Sequence, residues 1–189
     1  MQLPLTHNQC VYLRSLQSTK PILITTGPAG SGKTMLACQE AMVRVSKREF
    51  DRLIFTRPVV PVGEDLGYLP GDMDDKMAPW THPLLENCQM TPRVFVEPMG
   101  FMRGRTFNDT FIIADEMQNS TPAQMKMLLT RIGKNTKLVV PGDAEQGDNE
   151  GTNGLIDILD RVDGLDLECV DLVTLGSEGI KRQPDVSEI

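Results

Sequence analysis

The chain has 189 residues, of which 40% are hydrophobic and 24% are charged, and its formal net charge at pH 7 is −7. These values are typical of one folded domain of ordinary size and exclude a disordered tail. No apolar run approaches the length that a bilayer requires, and the first residues lack the basic start and the apolar core of a signal peptide. We therefore expect a cytoplasmic protein with no membrane partner, formed by a single domain over residues 1–189.

Cysteine content and charge distribution narrow the function classes further. The four cysteines are isolated in the sequence, and there are two histidines. Neither a zinc site nor a disulfide framework is indicated. The acidic balance argues against nucleic acid binding through the whole surface, because proteins that coat nucleic acid are usually basic. A local basic track remains open in the middle of the chain, where the candidates are Arg103, Arg105, Lys126, Arg131, Lys134 and Lys137.

The chain opens with a predicted helix, a strand and a glycine-rich loop. Thr6 precedes apolar residues at Val11, Leu13 and Leu16, a spacing that predicts a short helix. The β-branched run at residues 22–26 predicts a strand, and residues 35–43 are compatible with a helix. Between them the sequence fits G-x-x-x-x-G-K-[ST] in the strand, loop and helix order that the motif requires. The loop residues are Gly27, Pro28, Ala29, Gly30, Ser31, Gly32, Lys33 and Thr34.

This loop predicts nucleotide binding. Its glycines let successive backbone N–H groups point at phosphate oxygens, and the start of the following helix adds its positive dipole end. Lys33 would reach the β- and γ-phosphates, and the Thr34 hydroxyl would bind Mg²⁺. The alternative is a glycine-rich strand-to-helix turn that binds nothing. The full spacing and the two correct flanks favour nucleotide binding over that alternative.

Strands and helices alternate through the rest of the chain. Residues 52–56 predict a second strand, and the connection that follows at residues 59–70 is unusually long. Residues 72–89 are moderately helical, and strands are predicted at 94–97 and 110–114. A helix should begin at Thr121, with Pro122 at its first position and Gln124 in a capping box, and Gly133 can end it. A strand at 137–140, a helix at 153–161 and a strand at 167–172 complete the order.

This order predicts an α/β fold, with a mostly parallel sheet covered by helices on both faces and ligands at the carboxyl ends of the strands. Asp115 and Glu116 directly follow a buried strand. We assign Asp115 to Mg²⁺ and Glu116 to the water that attacks the γ-phosphate; the alternative is that the two acids cap the next turn. Gln146, after the following strand, could bind the γ-phosphate or that water, and an ordinary polar turn is an equally good interpretation.

Five blocks of sequence resemble one protein family. They are RPVV at residues 57–60, GEDLGYLPGD at 63–72, FMRGRT at 101–106, DEMQN at 115–119 and QMKMLLTR at 124–131. Together they are similar to the PhoH family of phosphate-starvation-associated ATPases, whose members resemble the ATPase half of superfamily 1 helicases. The resemblance spans nearly the whole chain and implies a RecA-like P-loop NTPase that uses ATP and Mg²⁺.

The resemblance also implies roles for residues outside the loop. Gln9 occupies the position at which a side-chain amide reads adenine, and Gln146 gains support as the nucleotide sensor. A nucleic acid strand would pass Arg57, Arg103 and Arg105, whose guanidinium groups can bind phosphate oxygens bidentately. Anchoring of loops or of a neighbouring subunit is the alternative for Arg103 and Arg105. The nearby aromatic residues, each more readily interpreted as core or loop packing than as a stacking platform, are Phe55, Tyr68, Trp80, Phe101 and Phe107.

The expected function is ATP hydrolysis coupled to single-stranded nucleic acid, RNA in preference to DNA, by a helicase-like motor or an RNA-processing accessory. An ATP-switched scaffold is the non-catalytic alternative, and a small-molecule kinase is disfavoured because no acceptor site is apparent. Superfamily 1 helicases place ATP between two RecA-like domains, and this chain has one. We therefore expect a homo-oligomer, either a ring such as a hexamer or another head-to-tail assembly. In it Arg182, or less readily Arg103, Arg105 or Arg131, would act in trans on the nucleotide.

Overall fold

A computed structural model of the protein describes residues 5–58, 88–146 and 153–176. The first half contains helix α1 (His7–Gln17), strand β1 (Ile22–Thr26), helix α2 (Lys33–Ser46) and strands β2 (Arg52–Thr56) and β3 (Val94–Val96). The second half contains strand β4 (Thr110–Ala114), helix α3 (Pro122–Leu129), strand β5 (Lys137–Gly142), helix α4 (Gly154–Val162) and strand β6 (Val170–Thr174). Short 3₁₀ helices span Met99–Met102 and Met117–Asn119. The predicted loop at 59–70, and all but the end of the predicted helix at 72–89, lie outside the described residues.

The described strands form one parallel sheet of six strands in the order β3-β2-β4-β5-β1-β6. Successive residues of a strand point to opposite faces of the sheet, so each strand feeds two cores. Leu53 and Phe55 of β2 join the core that contains residues of α1 and α2, whereas Ile54 joins the core that contains residues of α3 and α4. Helices therefore cover both faces of the sheet. This arrangement confirms the predicted RecA-like α/β fold.

Two helices begin with the same capping arrangement. The Thr6 hydroxyl accepts a hydrogen bond from the backbone N–H of Gln9, and the Gln9 side chain accepts one from the backbone N–H of Thr6. Thr121 and Gln124 repeat this arrangement at the start of α3, which confirms the predicted capping box. Such reciprocal bonds satisfy N–H groups that the first turn of a helix leaves without partners.

Several predicted boundaries were wrong. Strand β5 continues through Pro141 to Gly142 and does not end at Val140. Helix α3 ends at Leu129, before Gly133. Gly133 has a different reason to be glycine, because a Cβ there would lie 2.5 Å from the carbonyl oxygen of Phe107. Strand β6 begins at Val170, since Val170 first closes a turn by donating to the carbonyl oxygen of Leu167. Within the described ranges, none of the helices combines the length and the apolar character that a membrane span requires.

Candidate nucleotide site

The glycine-rich loop lies between β1 and α2, at the carboxyl edge of the sheet. Gly30 and Gly32 have φ angles of 80° and 89°, in the left-handed region that favours glycine. Gly27 also has a positive φ, and a Cβ there would lie 2.3 Å from the carbonyl oxygen of Leu175. These glycines therefore allow a tight turn that other residues could not form without strain, and the turn leads directly into the amino end of α2.

Lys33 lies back over the loop. Its ammonium donates to the carbonyl oxygens of Gly27 at 2.6 Å and Pro28 at 2.9 Å. Burial lowers the pKa of Lys33, and the carboxylates at the ends of β5 and β4 partly oppose that shift. The cation is thus held by neutral carbonyl groups, which phosphate oxygens can replace as stronger, charged acceptors.

The loop and the acids after β4 meet in one hydrogen bond. Thr34 Oγ1 donates to Asp115 Oδ1 at 2.8 Å, and the Asp115 side chain is 5% exposed. Mg²⁺ prefers oxygen ligands and is commonly held by one or two carboxylates together with phosphates. A hydroxyl and a carboxylate side by side at the start of α2 fit that requirement, so Thr34 and Asp115 are suited to hold the ion.

Glu116 adopts an unusual backbone conformation beside Asp115. Its φ and ψ are 55° and 37°, in the left-handed region, and its side chain is 47% exposed. Gln118 is buried and donates from Nε2 to Glu116 Oε2, while its Oε1 accepts from the backbone N–H of Asp143 at 3.3 Å. Gln118 therefore connects Glu116 to the end of β5. Strained conformations of this kind are concentrated at functional sites.

Arg57 also belongs to this cluster. Its NH2 group lies 2.6 Å from Asp115 Oδ2 and 3.8 Å from Glu116 Oε1. The guanidinium is 5.7 Å from the centroid of the buried Phe55 ring. The structure places Arg57 at the carboxylates beside the loop, a contact that the sequence analysis missed. Its contact with nucleic acid stays a prediction. Strand order was the missing signal, because β2 and β4 are neighbours only in the folded sheet.

The amino-terminal helix contacts the loop through two side chains. Gln9 is buried, and its Nε2 donates to the Ser31 carbonyl oxygen at 3.0 Å. Tyr12, which the apolar spacing missed, is also buried, and its hydroxyl donates to the Lys33 carbonyl oxygen at 3.2 Å. Gln9 therefore lies at the nucleotide loop with both ends of its amide engaged. Its role in reading adenine stays a prediction.

Two other predicted residues remain away from these contacts or outside the described chain. Gln146 is exposed, and its backbone N–H donates to the Asp143 carbonyl oxygen at 3.3 Å. The end of β5 does lie beside the acids of β4, as predicted, because β4 and β5 are paired. The sensor role of Gln146 stays a prediction. Arg182 lies outside the described residues, and so do Tyr68 and Trp80.

Phe101, Arg103 and Arg105 are exposed within one short stretch in the middle of the chain. Phe101 is 67% exposed, which corrects its interpretation as core or loop packing, whereas Phe55 and Phe107 are fully buried. Arg103 is exposed two residues later. Arg105 is exposed too, and it pairs with Glu97.

Two further basic residues of the predicted track have structural contacts. Arg131 donates to the Arg105 carbonyl oxygen at 3.2 Å. Lys137 cannot join a basic track, because its side chain is buried among carbonyl oxygens near the end of α1. The exposed part of the track is therefore smaller than the sequence suggested.

Comparison with known proteins identifies the family. A family model described as PhoH-like protein matches residues 3–189. A PhoH-like protein of Mycobacterium bovis is 38% identical over 203 residues, which cover 98% of this chain and 56% of the relative. Protein PhoH of Escherichia coli K12 is 38% identical over 190 residues, which cover 92% of this chain and 53% of the relative. The chain thus spans about half the length of the curated relatives it matches.

Two solved structures have a related chain path. A Bacteroides sp. Pif1 structure in complex with ADP-AlF4 has a TM-score of 0.44 at 16% identity, covering 99% of this chain and 45% of its own. The Pyrococcus furiosus Hef helicase domain has a TM-score of 0.47 at 14% identity, and the match covers 94% of this chain and 39% of the Hef chain. Similarity at this level says nothing about activity or ligands. The family model and the curated relatives agree with each other, and the chain belongs to the PhoH-like protein family.

Proposed function

We propose that this protein binds and hydrolyses ATP with Mg²⁺, and that single-stranded nucleic acid controls the hydrolysis. The hydrogen bond between Thr34 Oγ1 and Asp115 Oδ1 carries the proposal, because it unites the phosphate-binding loop with the acids after β4. A glycine-rich turn that bound nothing would not require a buried carboxylate at the first turn of α2. Membership of the PhoH-like family supports the same function.

Each side chain of the site has a distinct task in this mechanism. Lys33 exchanges the loop carbonyl oxygens for oxygens of the β- and γ-phosphates. Glu116, which Gln118 orients, accepts a proton from the water that attacks the γ-phosphate. Thr34 and Asp115 would hold Mg²⁺, which when bound would neutralise charge on the phosphate oxygens.

Two glutamines complete the proposed nucleotide site. Gln9 reads adenine, and its contact with the Ser31 carbonyl oxygen places it beside the loop. Gln146 senses the γ-phosphate from the end of β5, where its exposed side chain has freedom to reorient.

The proposed nucleic acid contact lies at the 3₁₀ helix Met99–Met102 and the turn after it. Phe101 is 67% exposed. Any of the bases can stack on an exposed aromatic ring, so such a contact does not depend on the nucleic acid sequence. Arg103 and Arg105 are exposed in the next turn. Arg103 supplies a guanidinium group for a phosphate, and Arg105 would exchange its partner Glu97 for one. We propose RNA as the preferred strand over DNA. The net charge of −7 favours such a local contact over binding through the whole surface.

The proposed active unit is a homo-oligomer. This chain supplies one phosphate-binding loop, and the proposed stabilising arginine, Arg182, would come from a neighbouring copy. Arginine fingers contribute about a thousandfold or more to the rate of phosphoryl transfer. An isolated subunit is therefore expected to hydrolyse ATP slowly.

ATP turnover separates the competing functions. It should be measured for the wild type and Glu116→Gln, alone and with single-stranded RNA, single-stranded DNA and a duplex. We expect single strands, RNA most of all, to stimulate the wild type, and Glu116→Gln to bind ATP without turning it over. Turnover that no nucleic acid stimulates would overturn the coupling and indicate a scaffold. Transfer of phosphate to an added metabolite would indicate a kinase.

A further inference from the structure

Arg57 lies opposite Asp115 because of the register of the sheet. Thr56 at the end of β2 pairs with Ala114 at the end of β4. The backbone N–H of Asp115 donates to the Thr56 carbonyl oxygen at 2.9 Å, which continues the pairing for one residue beyond the strands. The two side chains therefore emerge side by side at the carboxyl edge, at the residues where the chain leaves the sheet.

The contact between Arg57 and Asp115 is close but uses one carboxylate oxygen. Arg57 Nε and NH2 lie 3.2 Å and 2.6 Å from the same atom, Asp115 Oδ2. The other oxygen, Oδ1, accepts from Thr34. A bidentate guanidinium pair would engage both oxygens. The geometry is therefore that of a replaceable ion pair at one oxygen, and Arg57 and Thr34 together engage both oxygens of the carboxylate.

Arg57 is also the cation that neutralises these acids. Lys33 is committed to the loop carbonyl oxygens. Among the described residues, Arg57 makes the ion pairs to both Asp115 and Glu116. With 19% of its side chain exposed, Arg57 is screened less by water than a surface charge would be. The acids thus have a monovalent partner before any nucleotide arrives.

A divalent ion at Thr34 and Asp115 would compete with that partner. Two cations beside one carboxylate repel each other, and the repulsion is larger near a protein surface than in bulk water. We propose that Arg57 is an internal counter-cation, which pairs with Asp115 in the nucleotide-free protein and yields this carboxylate when Mg²⁺ and nucleotide bind. The exchange rests on the proposed function in that it assigns the Thr34 and Asp115 position to the metal.

Metal binding without nucleotide tests the exchange directly. Mn²⁺ would be titrated into the nucleotide-free protein and followed by electron paramagnetic resonance, for the wild type and Arg57→Met. Methionine keeps an unbranched apolar side chain beside Phe55 and removes the charge. We expect Arg57→Met to bind Mn²⁺ about tenfold more tightly, which corresponds to about 1.4 kcal/mol. Adding Asp115→Asn should abolish the gain.

Two further variants make the titration decisive. Arg161→Met, which removes an exposed partner of Asp157 outside the site, should leave Mn²⁺ affinity unchanged. Arg57→Lys keeps the charge but loses the planar fork, so its affinity should lie between the wild type and Arg57→Met. If Arg57→Met fails to fold by circular dichroism, Arg57→Lys decides. Mn²⁺ affinity at or below that of the wild type, in the folded variants, would overturn the proposal.

A nucleotide titration separates this proposal from the proposed function. The affinity of a fluorescent ATP analogue would be measured with Mg²⁺ and with a chelator. The ratio of the two affinities should rise about tenfold in Arg57→Met. Equal weakening under both conditions would instead make Arg57 a phosphate ligand and overturn the exchange. If the wild type bound no nucleotide, the proposed function would fail, and the Mn²⁺ titration would still decide the exchange.

Discussion

Gln118 connects the carboxyl ends of two neighbouring strands through a single side chain. Its amide donates to Glu116 and accepts from the backbone of Asp143, and it is 3% exposed. The residue therefore fixes the distance between the proposed base and the rest of the site. It acts through Glu116 and is a positioning residue.

Replacing this amide should affect turnover and spare nucleotide binding. In Gln118→Leu we expect kcat to fall by about a hundredfold, because small displacements of a reacting group can cost that much, while the ATP dissociation constant stays the same. Steady-state kinetics and a binding titration measure the two quantities. Gln17→Leu, which removes an exposed amide bonded to Glu40, is the matched control. Equal loss of binding and turnover would contradict a positioning role.

Lys137 is a buried cation that ties three parts of the backbone together. Its Nζ donates to the carbonyl oxygens of Ser15 at 2.8 Å, Ser18 at 3.3 Å and Lys20 at 2.7 Å. Burial lowers the pKa of Lys137 to about 8, although Asp171 acts in the opposite direction. The side chain thus joins β5 to the end of α1 and to the approach to β1.

The lowered pKa predicts how stability changes with pH. The unfolded chain holds the Lys137 proton up to about pH 10.4 and therefore binds it more tightly than the folded chain. Below pH 8 the buried charge therefore lowers the free energy of unfolding by its full amount. Between about pH 8 and 10 the free energy of unfolding rises, by at most about 1.4 kcal/mol per pH unit. Urea unfolding of the wild type and Lys137→Met from pH 7 to 10 isolates this contribution. If the free energies of unfolding of the two proteins changed in parallel with pH, Lys137 would make no such contribution.

The position of a site residue could be predicted when its role is defined by residues next to it in the sequence. It could not be predicted when its role is defined by residues on a neighbouring strand. Lys33, Thr34, Asp115 and Glu116 belong to contiguous motifs, so their placement at one edge could be predicted. Arg57 could not, because its partner is 58 positions away and becomes adjacent only through the order of the sheet. Lys137 looked like a surface cation because nothing in its local sequence reveals the carbonyl oxygens around it.

At the scale of whole elements, α1 and α3 start with the same capping box but have different neighbours. Thr6 and Gln9 cap α1 beside the phosphate-binding loop, since Gln9 also donates to the Ser31 carbonyl oxygen. At the start of α3, the two capping bonds join the Thr121 and Gln124 side chains to each other's backbone N–H groups. The pair therefore offers matched variants with different expected consequences.

Removal of either cap should lower stability by a similar amount, but only removal of the α1 cap should weaken ATP binding. Thr6→Ala and Thr121→Ala should each lower the free energy of unfolding by about 1 kcal/mol. Thr6→Ala should in addition weaken ATP binding severalfold, because the first turn of α1, which holds the Gln9 amide beside the loop, loses the hydroxyl that accepts from the Gln9 backbone N–H. Denaturant unfolding and ATP titration give both values. Equal ATP affinity in the two variants would show that the α1 cap has no part in the site.

Strands with continuous apolar runs were predicted well, whereas the edge strand and the ends of elements were not. Strands β4 and β5 are buried along their whole length, and such runs are easily identified. Strand β6 lies at the edge of the sheet and leaves Leu172 47% exposed. Its apolar pattern is correspondingly weak, and the predicted strand began three residues too early. The predicted helix also ran past the end of α3, because the chain beyond Leu129 stays on the same core, where Ile132 packs.

For the whole molecule, the proposed trans arginine can be tested by mixing two inactive variants. Glu116→Gln lacks the base and keeps Arg182, whereas Arg182→Ala lacks the arginine and keeps the base. In an equal, randomly assembled mixture, about a quarter of the sites combine an intact base with an intact neighbouring arginine. We expect ATP turnover to recover to about that fraction of the wild-type rate. A mixture as inactive as its components would refute an arginine in trans.

The position of β1 in the sheet affects how the protein is made. Strand β1 carries the phosphate-binding loop, yet its two neighbours are β5 and β6, so that Ile22 lies opposite Leu138 and Val170. Every described pairing is parallel, and contacts between distant residues make such sheets slow to fold. During synthesis, β1 leaves the ribosome before β5 and β6 and must wait for both. A nascent chain that stops before β5 would contain the entire glycine-rich motif without the strands that hold it in place.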